Sequence, residues 1–413
     1  EGQNMRKFFA LLSALSLLIV SFAGCNQTSE IDVWDGSIAE AFAGGDGSEK
    51  KPYIINKASQ LALLAKEVNS GTDYNGKYIS LECNLDLNHC EWKPIGNGNE
   101  SFNGIFDGNN YTIFNIKITD GANFTTEYSR GETNQYTTGL FGSCYNATIK
   151  NITIEKASVI IQNISNVSAV MGGILVGTMS SDSSAEISNV SVVNTDIICS
   201  FDLESPSASL RIGGIMGYLF GNDNSSIVLK NINTDTSVSI ENGSASYNLI
   251  GGIVGAACTQ NLFDVNNCAS YLSLNIDTQK SNHNYFGAFG SMLAKNDIVS
   301  ISNVFSKVKT NKIREIFHGY ASYNANAIMG ETYHGKQKDG SLIGGYKFQN
   351  LFGYVEQVDA STGETAKSTQ LYELPTHTIY TETNCIGCES LPANHGFDAS
   401  VWDLTDLSNP KVK

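Results

Sequence analysis

The chain has 413 residues, of which 41% are hydrophobic and only 16% are charged, and its formal net charge is −15. This length allows one large domain or two to three ordinary ones. Its 39 glycines and many Asn, Ser and Thr residues are typical of short strands and turns rather than of long helices. The scattered Lys and Arg residues exclude a basic stripe for nucleic acid, and the acidic balance argues against docking on anionic lipid head groups.

The first segment of the chain predicts export and lipid anchoring. Residues 5–20, MRKFFALLSALSLLIV, combine a positive start with an apolar stretch that is too short to span a membrane. Small residues then lead directly to Cys25, which resembles a bacterial lipobox. We predict that residues 1–24 are a signal peptide, with residues 1–4 upstream of the start methionine. Cys25 is then the lipid attachment site, and residues 25–50 form a flexible tether.

A strand and the one expected helix follow in residues 51–71. Asn56 is the expected N-cap of this helix and Gly71 its expected C-terminal stop. Apolar residues at helical spacing lie on one face: Leu61, Leu64, Ala65 and Val68. Residues 78–118 then alternate like strands, and DGNN at 107–110 is a turn signal.

From residue 138 onward a Gly-apolar-apolar-Gly step recurs. Its closing glycines lie 35, 40, 38 and 35 residues apart by the differences of their numbers: Gly142, Gly177, Gly217, Gly255 and Gly290. An Asn in a second strand follows each step: Asn151, Asn189, Asn231, Asn267 and Asn303. The glycine step and the Asn-containing strand recur in the same order, with one connecting loop of variable length, which indicates a repeat architecture.

Two repeat folds compete for this pattern. A β-propeller blade needs about four strands in roughly 40–50 residues, whereas each unit here offers about three strand stretches. A right-handed parallel β-helix needs three strands per coil, and its coils stack at about 4.8 Å. Such stacking explains glycines where coils approach closely, and it allows Asn side chains to form a ladder at equivalent turns. We therefore predict an all-β, right-handed parallel β-helix over residues 51–413 with one short N-terminal helix.

These repeats, the segment from YIINKASQ to YTIFNI and the final ASVWDLTDLSNPKVK resemble the GLUG-motif surface proteins of Gram-negative bacteria. The resemblance covers most of residues 51–413. It implies a β-helix with a closing C-terminal segment, an outer-membrane or cell-surface location and an adhesin-like role, and it implies no shared catalytic residues. In the family's usual turn, Gly and His stand where Asn110 and Tyr111 stand here.

The sequence has nine cysteines, and apart from the predicted lipid site Cys25 we expect the other eight to be structural. Cys83 with Cys90 and Cys385 with Cys388 are candidate disulfides in an extracytoplasmic protein. Cys144, Cys258 and Cys268 lie in or beside repeat strands, where Cys is commonly a small buried hydrophobe. No second pair accompanies the CxxC at residues 385–388, so a zinc site is not expected.

Parallel β-helices include polysaccharide lyases and glycosidases, which use paired carboxylates or a carboxylate-bound Ca²⁺ with a basic residue. Acidic residues stand in turns and variable loops at Asp107, Asp182 and Asp223, and the mature chain has three arginines, Arg130, Arg211 and Arg314. No GxSxG, HExxH or P-loop motif is present. We assign no catalytic residue, metal or cofactor and expect no enzyme, with a β-helical carbohydrate-active enzyme as the alternative.

Residues 311–348 interrupt the repeat and are rich in aromatic residues. Loops on a rigid scaffold often carry binding residues, and tyrosines can stack on sugars. The alternative is that these rings pack the loop onto the helix flank or cap it. The candidate ligand-binding residues are Tyr320, Tyr323, Tyr333 and His334.

The pattern as a whole predicts a lipid-anchored surface protein that binds a glycan or a partner protein through loops on a β-helix. A purely structural, fimbria-like surface component is a further alternative. The expected partners are a glycan or surface protein and the membrane, which is reached through the lipid.

We expect Cys25→Ala to release the protein from membranes, because the acylated thiol is the predicted anchor. Fatty-acid labelling and membrane fractionation measure this release. Labelling that persists in the variant would contradict the anchor.

Overall fold

The computed structural model describes residues 31–412 except 129–130, 202, 204–207, 242–244, 260, 278–282, 295–297, 312–321, 337–341, 344, 359–361 and 373–379. Cys25 and Tyr320 lie outside the described residues. In the described part, the chain is a parallel β-solenoid of about six turns with one short helix. The predicted parallel β-helix is confirmed.

The strands, numbered β1–β30 in chain order, form two long sheets and one short hairpin within the described residues. Sheet 1 contains β1 (Asp32–Val33), β2 (Tyr53–Ile55), β3 (Tyr78–Leu81), β4 (Leu85–Asp86), β5 (Ile105–Phe114), β6 (Lys117–Ile118), β10 (Thr148–Glu155), β11 (Ser158–Gln162), β14 (Ser184–Ser200), β17 (Ser226–Glu241), β19 (Leu262–Asp277), β21 (Ile298–Thr310), β25 (Gly345–Val358), β26 (Thr365–Ser368), β27 (Tyr380–Thr383) and β28 (Ile386–Gly387). Sheet 2 contains β7 (Ala122–Tyr128), β8 (Gly131–Thr138), β9 (Phe141–Tyr145), β12 (Ala169–Gly173), β13 (Val176–Ser181), β15 (Ser209–Gly213), β16 (Met216–Gly221), β18 (Tyr247–Thr259), β20 (His283–Ala294), β22 (Ser322–Ala325), β23 (Met329–Lys336) and β24 (Leu342–Ile343). The hairpin is β29 (Trp402–Asp403) with β30 (Lys411–Val412).

The main strands of each coil pair in parallel with the equivalent strands of the next coil, so equivalent residues form columns. The pairs β7–β8, β23–β24, β25–β26 and β29–β30 are antiparallel. In sheet 1 the order β5-β10-β14-β17-β19-β21-β25 follows the chain coil by coil. One inward column is fully buried and consists of Phe106, Ile149, Ile187, Leu229, Val265, Ile301 and Phe348. Stacking therefore turns the repeat's apolar positions into one continuous core.

The closing glycines allow the backbones of neighbouring coils to meet. A Cβ atom on Gly255 would lie 2.5 Å from the backbone N of Ile212 and 2.7 Å from the carbonyl O of Gly217. A Cβ on Gly290 would meet the carbonyl O of Gly255 at 2.5 Å in the same way. The predicted close approach is confirmed, and steric contact rather than an unusual φ requires glycine here. The second glycine of the step is equally restricted, since a Cβ on Gly214 would lie 2.2 Å from the carbonyl O of Gly252 and one on Gly252 1.9 Å from the Ser270 hydroxyl oxygen. In the preceding coil Ile174 holds the position equivalent to Gly214.

Asn side chains form a ladder along sheet 1, as the repeat predicts. All ladder residues adopt left-handed backbone angles with φ between 53° and 57°: Asn151, Asn189, Asn231, Asn267, Asn303, Asn350 and Asn384. Asn189 Nδ2 donates to Asn151 Oδ1 at 2.8 Å, and Asn231 Nδ2 donates to Asn189 Oδ1 at 2.7 Å. The first rung rests on Asp107, whose Oδ1 accepts from Asn151 at 2.9 Å. The ladder thus stabilises one bend of every coil.

The ladder has one irregular rung. Asn303 Nδ2 donates to Asn266 Oδ1 at 3.0 Å rather than to Asn267. The buried Oδ1 of Asn267 is left without a hydrogen-bond partner among the described residues. From Asn350 onward the regular pattern resumes.

Helix α1 (Ala58–Val68) packs its predicted face into the core, where Leu61, Leu64, Ala65 and Val68 are buried. Its N-cap is Lys57, not Asn56 as predicted. The Gln60 side chain accepts from the backbone N of both residues, at 2.8 Å from Asn56 and 3.1 Å from Lys57, so it closes the first turn from inside the helix. No helix among the described residues is long and apolar enough to cross a membrane.

The tether predicted through residue 50 is wrong from residue 32 onward. β1 pairs in parallel with β4, and Trp34 is buried against Trp92 with 5.5 Å between ring centroids. Backbone hydrogen bonds also tie Ala43 N to Ile54 O at 2.9 Å. Buried aromatic area and β-pairing therefore hold a segment whose polar composition suggested a spacer.

The insertion predicted at residues 311–348 is also wrong in its described part. β22 and β23 both pair in parallel with β20, and β25 pairs with β21. Ala327 and Ile328 are buried in the core. Its described part is another coil, although residues 326–328 between β22 and β23 contain no glycine, so its β-pairing follows from stacking rather than from the motif.

The C-terminal segment folds back along sheet 1. Trp402 and Phe397 pack with Phe305 and Phe352 in a cluster separate from the main core. The hydroxyl of Tyr271 donates to the carbonyl O of Pro410 at 3.2 Å. The closing segment therefore covers part of the outer face of the coils.

We expect Gly255→Val to destabilise the protein by about 2 kcal/mol or more, because the added side chain overpacks the backbone of the preceding coil. Thermal unfolding by circular dichroism measures the change. Gly44→Val is the matched control, since a Cβ there would meet nothing within 4 Å. Equal melting temperatures for the two variants would contradict the close-approach explanation.

We expect Asn231→Ala to lower the free energy of unfolding by about 3 kcal/mol. The substitution removes two hydrogen bonds of the ladder and leaves an alanine in a left-handed backbone conformation that Asn tolerates better. Asn231→Gly relieves the backbone cost and should lose about 2 kcal/mol. The control is Asn194→Ala, at an exposed Asn with φ of 55°. Urea unfolding measures all three, and an Asn231→Ala loss no larger than the control's would refute the ladder's role.

Candidate functional site

The structure places three of the four predicted binding residues on strands rather than on a loop. Tyr323 is in β22, in register with Asn284, while Tyr333 and His334 are in β23, opposite Leu293 and Ala294. Tyr320 lies outside the described residues. The aromatic segment thus belongs to sheet 2, one coil beyond β20.

The four cysteines proposed for disulfides are free thiols. Cys385 packs against the main core and Cys388 against the separate C-terminal cluster, so the two side chains contact different groups of residues. The Cys83 Sγ donates to the carbonyl O of Asn56 at 3.1 Å, and burial raises the pKa of its thiol to about 11. The predicted pairs are not formed.

Buried cysteines behave as expected for small hydrophobes. Cys144 and Cys268 are buried in the repeat strands, while Cys258 is half-buried. Burial raises the pKa of the Cys268 thiol to about 12, so this thiol stays protonated at neutral pH.

The acidic turn residues serve the fold. Asp107 supports the first rung of the ladder, and its carboxylate lies 3.5 Å from Lys150 Nζ. Asp182 accepts from Asn146 Nδ2 at 2.7 Å, and hydrogen bonds from Tyr145 and Asn146 lower the pKa of its carboxyl group. Among the described residues, no three His, Cys, Asp or Glu side chains converge as ligands of a metal ion would.

Sheet 2 carries an outward-facing patch at the glycine corner, which we call the corner face: Arg211, Tyr218, Tyr247, Leu249, His283 and Tyr285. Arg211 precedes the Gly213-Gly214 corner and Tyr218 follows it, yet the Arg211 guanidinium lies 4.2 Å from the centre of the Tyr218 ring. Outer side chains on the two arms of the corner therefore touch, which makes the bend concave toward the outside. In the next coil Leu249 and Ala256 occupy the equivalent positions and pack with Tyr285.

Three rings of the corner face lie nearly parallel. Tyr247 and His283 are cross-strand partners on adjacent coils, with centroids 4.7 Å apart and planes 14° apart. The His283 and Tyr285 planes differ by 5° at 6.3 Å. Tyr247 and His283 are half-buried, whereas Tyr285 is buried. The Tyr247–His283 separation follows the coil spacing because these rings stand on paired strands, whereas His283 and Tyr285 are two residues apart on β20.

The corner face also holds one cation, Arg211. No ion pair to Arg211 is present among the described residues, and its buried Nε has no hydrogen-bond partner there. A half-buried guanidinium beside stacked rings can bind a carboxylate or sulfate while a ring face contacts an apolar surface. No role for this patch was predicted from the sequence, because its residues come from three coils. The sequence feature that could have indicated it is the aromatic residues at outward positions just before the glycine step.

Comparison with known proteins finds partial similarity to very long proteins. The chain is 26% identical over 194 residues to a protein of Evansella cellulosilytica, provisionally named a Gly-rich membrane protein; the match covers 46% of this chain and 19% of that protein. It is 27% identical over 197 residues to halomucin of Haloquadratum walsbyi, covering 44% of this chain and 2% of halomucin. The chain therefore spans less than a fifth of the length of either relative. No family model and no solved structure matches it at a significant level.

Proposed function

We propose that this protein is a cell-surface binding protein whose β-solenoid presents the corner face to a glycan. The observation that carries the proposal is the Tyr247–His283 stack on the same face as Arg211, a cation with no ion pair among the described residues. Side chains on paired strands lose little freedom on binding, so this surface is prepared for a rigid ligand.

The charge of the patch favours acidic glycans. The chain has a net charge of −15, so the positive charge of Arg211 at this concave site differs from the mostly negative charge of the protein. A saccharide carboxylate or sulfate can pair with the guanidinium, and rings of the stack can contact the sugar faces. On the next coil of sheet 2 the proposal extends to Tyr333, whereas Tyr323 and His334 continue register columns that contain the buried Asn248, Asn284 and Thr259.

The surface location rests on three kinds of support. The lipobox at Cys25 and the GLUG-like Gly-Gly steps favour a lipid-anchored protein of the Gram-negative outer membrane. The names of the two relatives, a membrane protein and halomucin, are consistent with a surface setting. Repetitive β-solenoids suit such a role because coils can be added without altering the stacking rule.

The competing functions predict other features. A β-helical carbohydrate-active enzyme would use paired carboxylates or a bound cation near a basic group. Asp107 and Asp182 instead hydrogen-bond to Asn residues of turns. A purely structural surface component would need no ring stack beside an arginine. We therefore propose glycan binding as the function.

We expect the double variant Tyr247→Ser, His283→Ser to weaken binding to acidic glycans by at least tenfold, because about 1.4 kcal/mol of contact is removed. A glycan array with the soluble domain identifies ligands, and calorimetry measures the affinities. Arg211→Gln should abolish the preference for acidic over neutral glycans.

The matched control is Tyr380→Ser, which removes an exposed ring from sheet 1. All variants should keep the melting temperature within a few degrees. Unchanged glycan affinity in both corner-face variants, or no retained glycan on the array, would exclude the corner face as the binding surface.

A further inference from the structure

A second concave site lies at the N-terminal end of the solenoid, far along the chain from the corner face. A cavity of about 540 Å³ opens between residues 40–45, β2, the end of helix α1 and residues 72–77. This volume lies within the range of small-ligand sites. We call it the N-terminal cleft.

Aromatic rings form one wall of the N-terminal cleft. Phe42 stacks on Tyr53 with 5.0 Å between centroids and 27° between planes. Tyr74 stands edge-on to Tyr53 at 6.0 Å and 86°. Phe42 and Tyr53 are half-buried, so part of this aromatic surface reaches the solvent, while Tyr74 is buried behind it.

The wall is held by backbone contacts. Ile54 N donates to Gly44 O at 3.0 Å, which ties the Phe42 segment to β2. A Cβ atom on Gly47 would lie 2.4 Å from the Tyr53 ring, so glycine leaves room for that ring. The Tyr74 hydroxyl donates to the Glu67 carboxylate, and this bond fixes both side chains. The cleft is therefore built before any ligand arrives.

The polar groups of the N-terminal cleft carry an excess of negative charge. Glu40, Glu67 and Asp73 line it together with a single cation, Lys77. Lys77 Nζ lies 3.4 Å from the carbonyl O of Asp46, so the ammonium is partly engaged outside the cleft. The cleft therefore has more carboxylate acceptors than cationic donors, whereas the charged group of the corner face is the Arg211 cation.

We propose that the N-terminal cleft binds a saccharide without acidic groups, and amino sugars most tightly. Because Phe42 and Tyr53 stack on each other, the half-buried Phe42 offers the ring face turned away from Tyr53 to a pyranose ring. The carboxylates of Glu40 and Asp73 accept hydrogen bonds from hydroxyl or ammonium groups. Uronic acids are rejected because their carboxylates would face three like charges. This site does not depend on the glycan bound at the corner face.

Calorimetry on the full chain with three tetrasaccharide probes tests the proposal: the glucosamine tetramer, cellotetraose and tetragalacturonate. We expect the glucosamine tetramer to bind most tightly, cellotetraose more weakly, and tetragalacturonate not at this site. Phe42→Ala should weaken both of the first two at least tenfold. The double variant Glu40→Gln, Asp73→Asn should weaken only the glucosamine tetramer, since these exposed carboxylates pair with its ammonium groups.

Two controls separate this site from the corner face. Tyr380→Ser should change neither affinity, and Tyr247→Ser with His283→Ser should leave glucosamine-tetramer binding intact. The proposal is overturned if neither the glucosamine tetramer nor cellotetraose binds. It is also overturned if the corner-face variant abolishes the binding of these two saccharides. A third contradicting result is that Phe42→Ala and the double variant Glu40→Gln, Asp73→Asn both keep native circular dichroism and bind these saccharides as tightly as the parent protein.

Discussion

Parallel stacking of coils at the β-strand spacing is the constraint on which this structure depends. Neighbouring strands lie about 4.8 Å apart, so whatever occurs at one position of a coil faces the same position of the next. A side chain that packs well against the equivalent side chain of the neighbouring coil stabilises the entire column. A side chain that does not fit at that position is excluded. The apolar core, the closing glycines and the Asn ladder are three results of this single rule.

The closing glycines and the ladder act on different parts of the coil. Gly217 and Gly255 let backbones approach until a Cβ would overlap a carbonyl oxygen. Asn189 and Asn231 fill a bend whose left-handed backbone favours Asn, and their amides hydrogen-bond to one another. Sheet 2 is thereby bent at one corner and sheet 1 at another, and both bends repeat with the coil.

The same stacking creates surfaces that no single repeat contains. Tyr247 and His283 stand in different coils, yet cross-strand pairing brings their rings to 4.7 Å. The N-terminal cleft arises instead where the repeat begins, because helix α1 and residues 40–45 pack against the first strands rather than against another coil. The two surfaces differ in charge, since the corner face holds Arg211 and the N-terminal cleft is lined mostly by carboxylates.

The repeat, the all-β class, the buried face of helix α1 and the Asn ladder could be predicted from the sequence, because period and residue type express them locally. The recurring glycine step marked five coils, but it did not mark the coil that includes β22 and β23, where pairing with β20 decides the fold without the motif. Residues 32–50 read as a spacer because their composition is polar, while the burial of Trp34 depends on a Trp92 that is distant in sequence. The corner face and the N-terminal cleft were likewise decided only by tertiary structure, since each assembles side chains from separate segments whose spacing in the chain carries no signal of their contact in space.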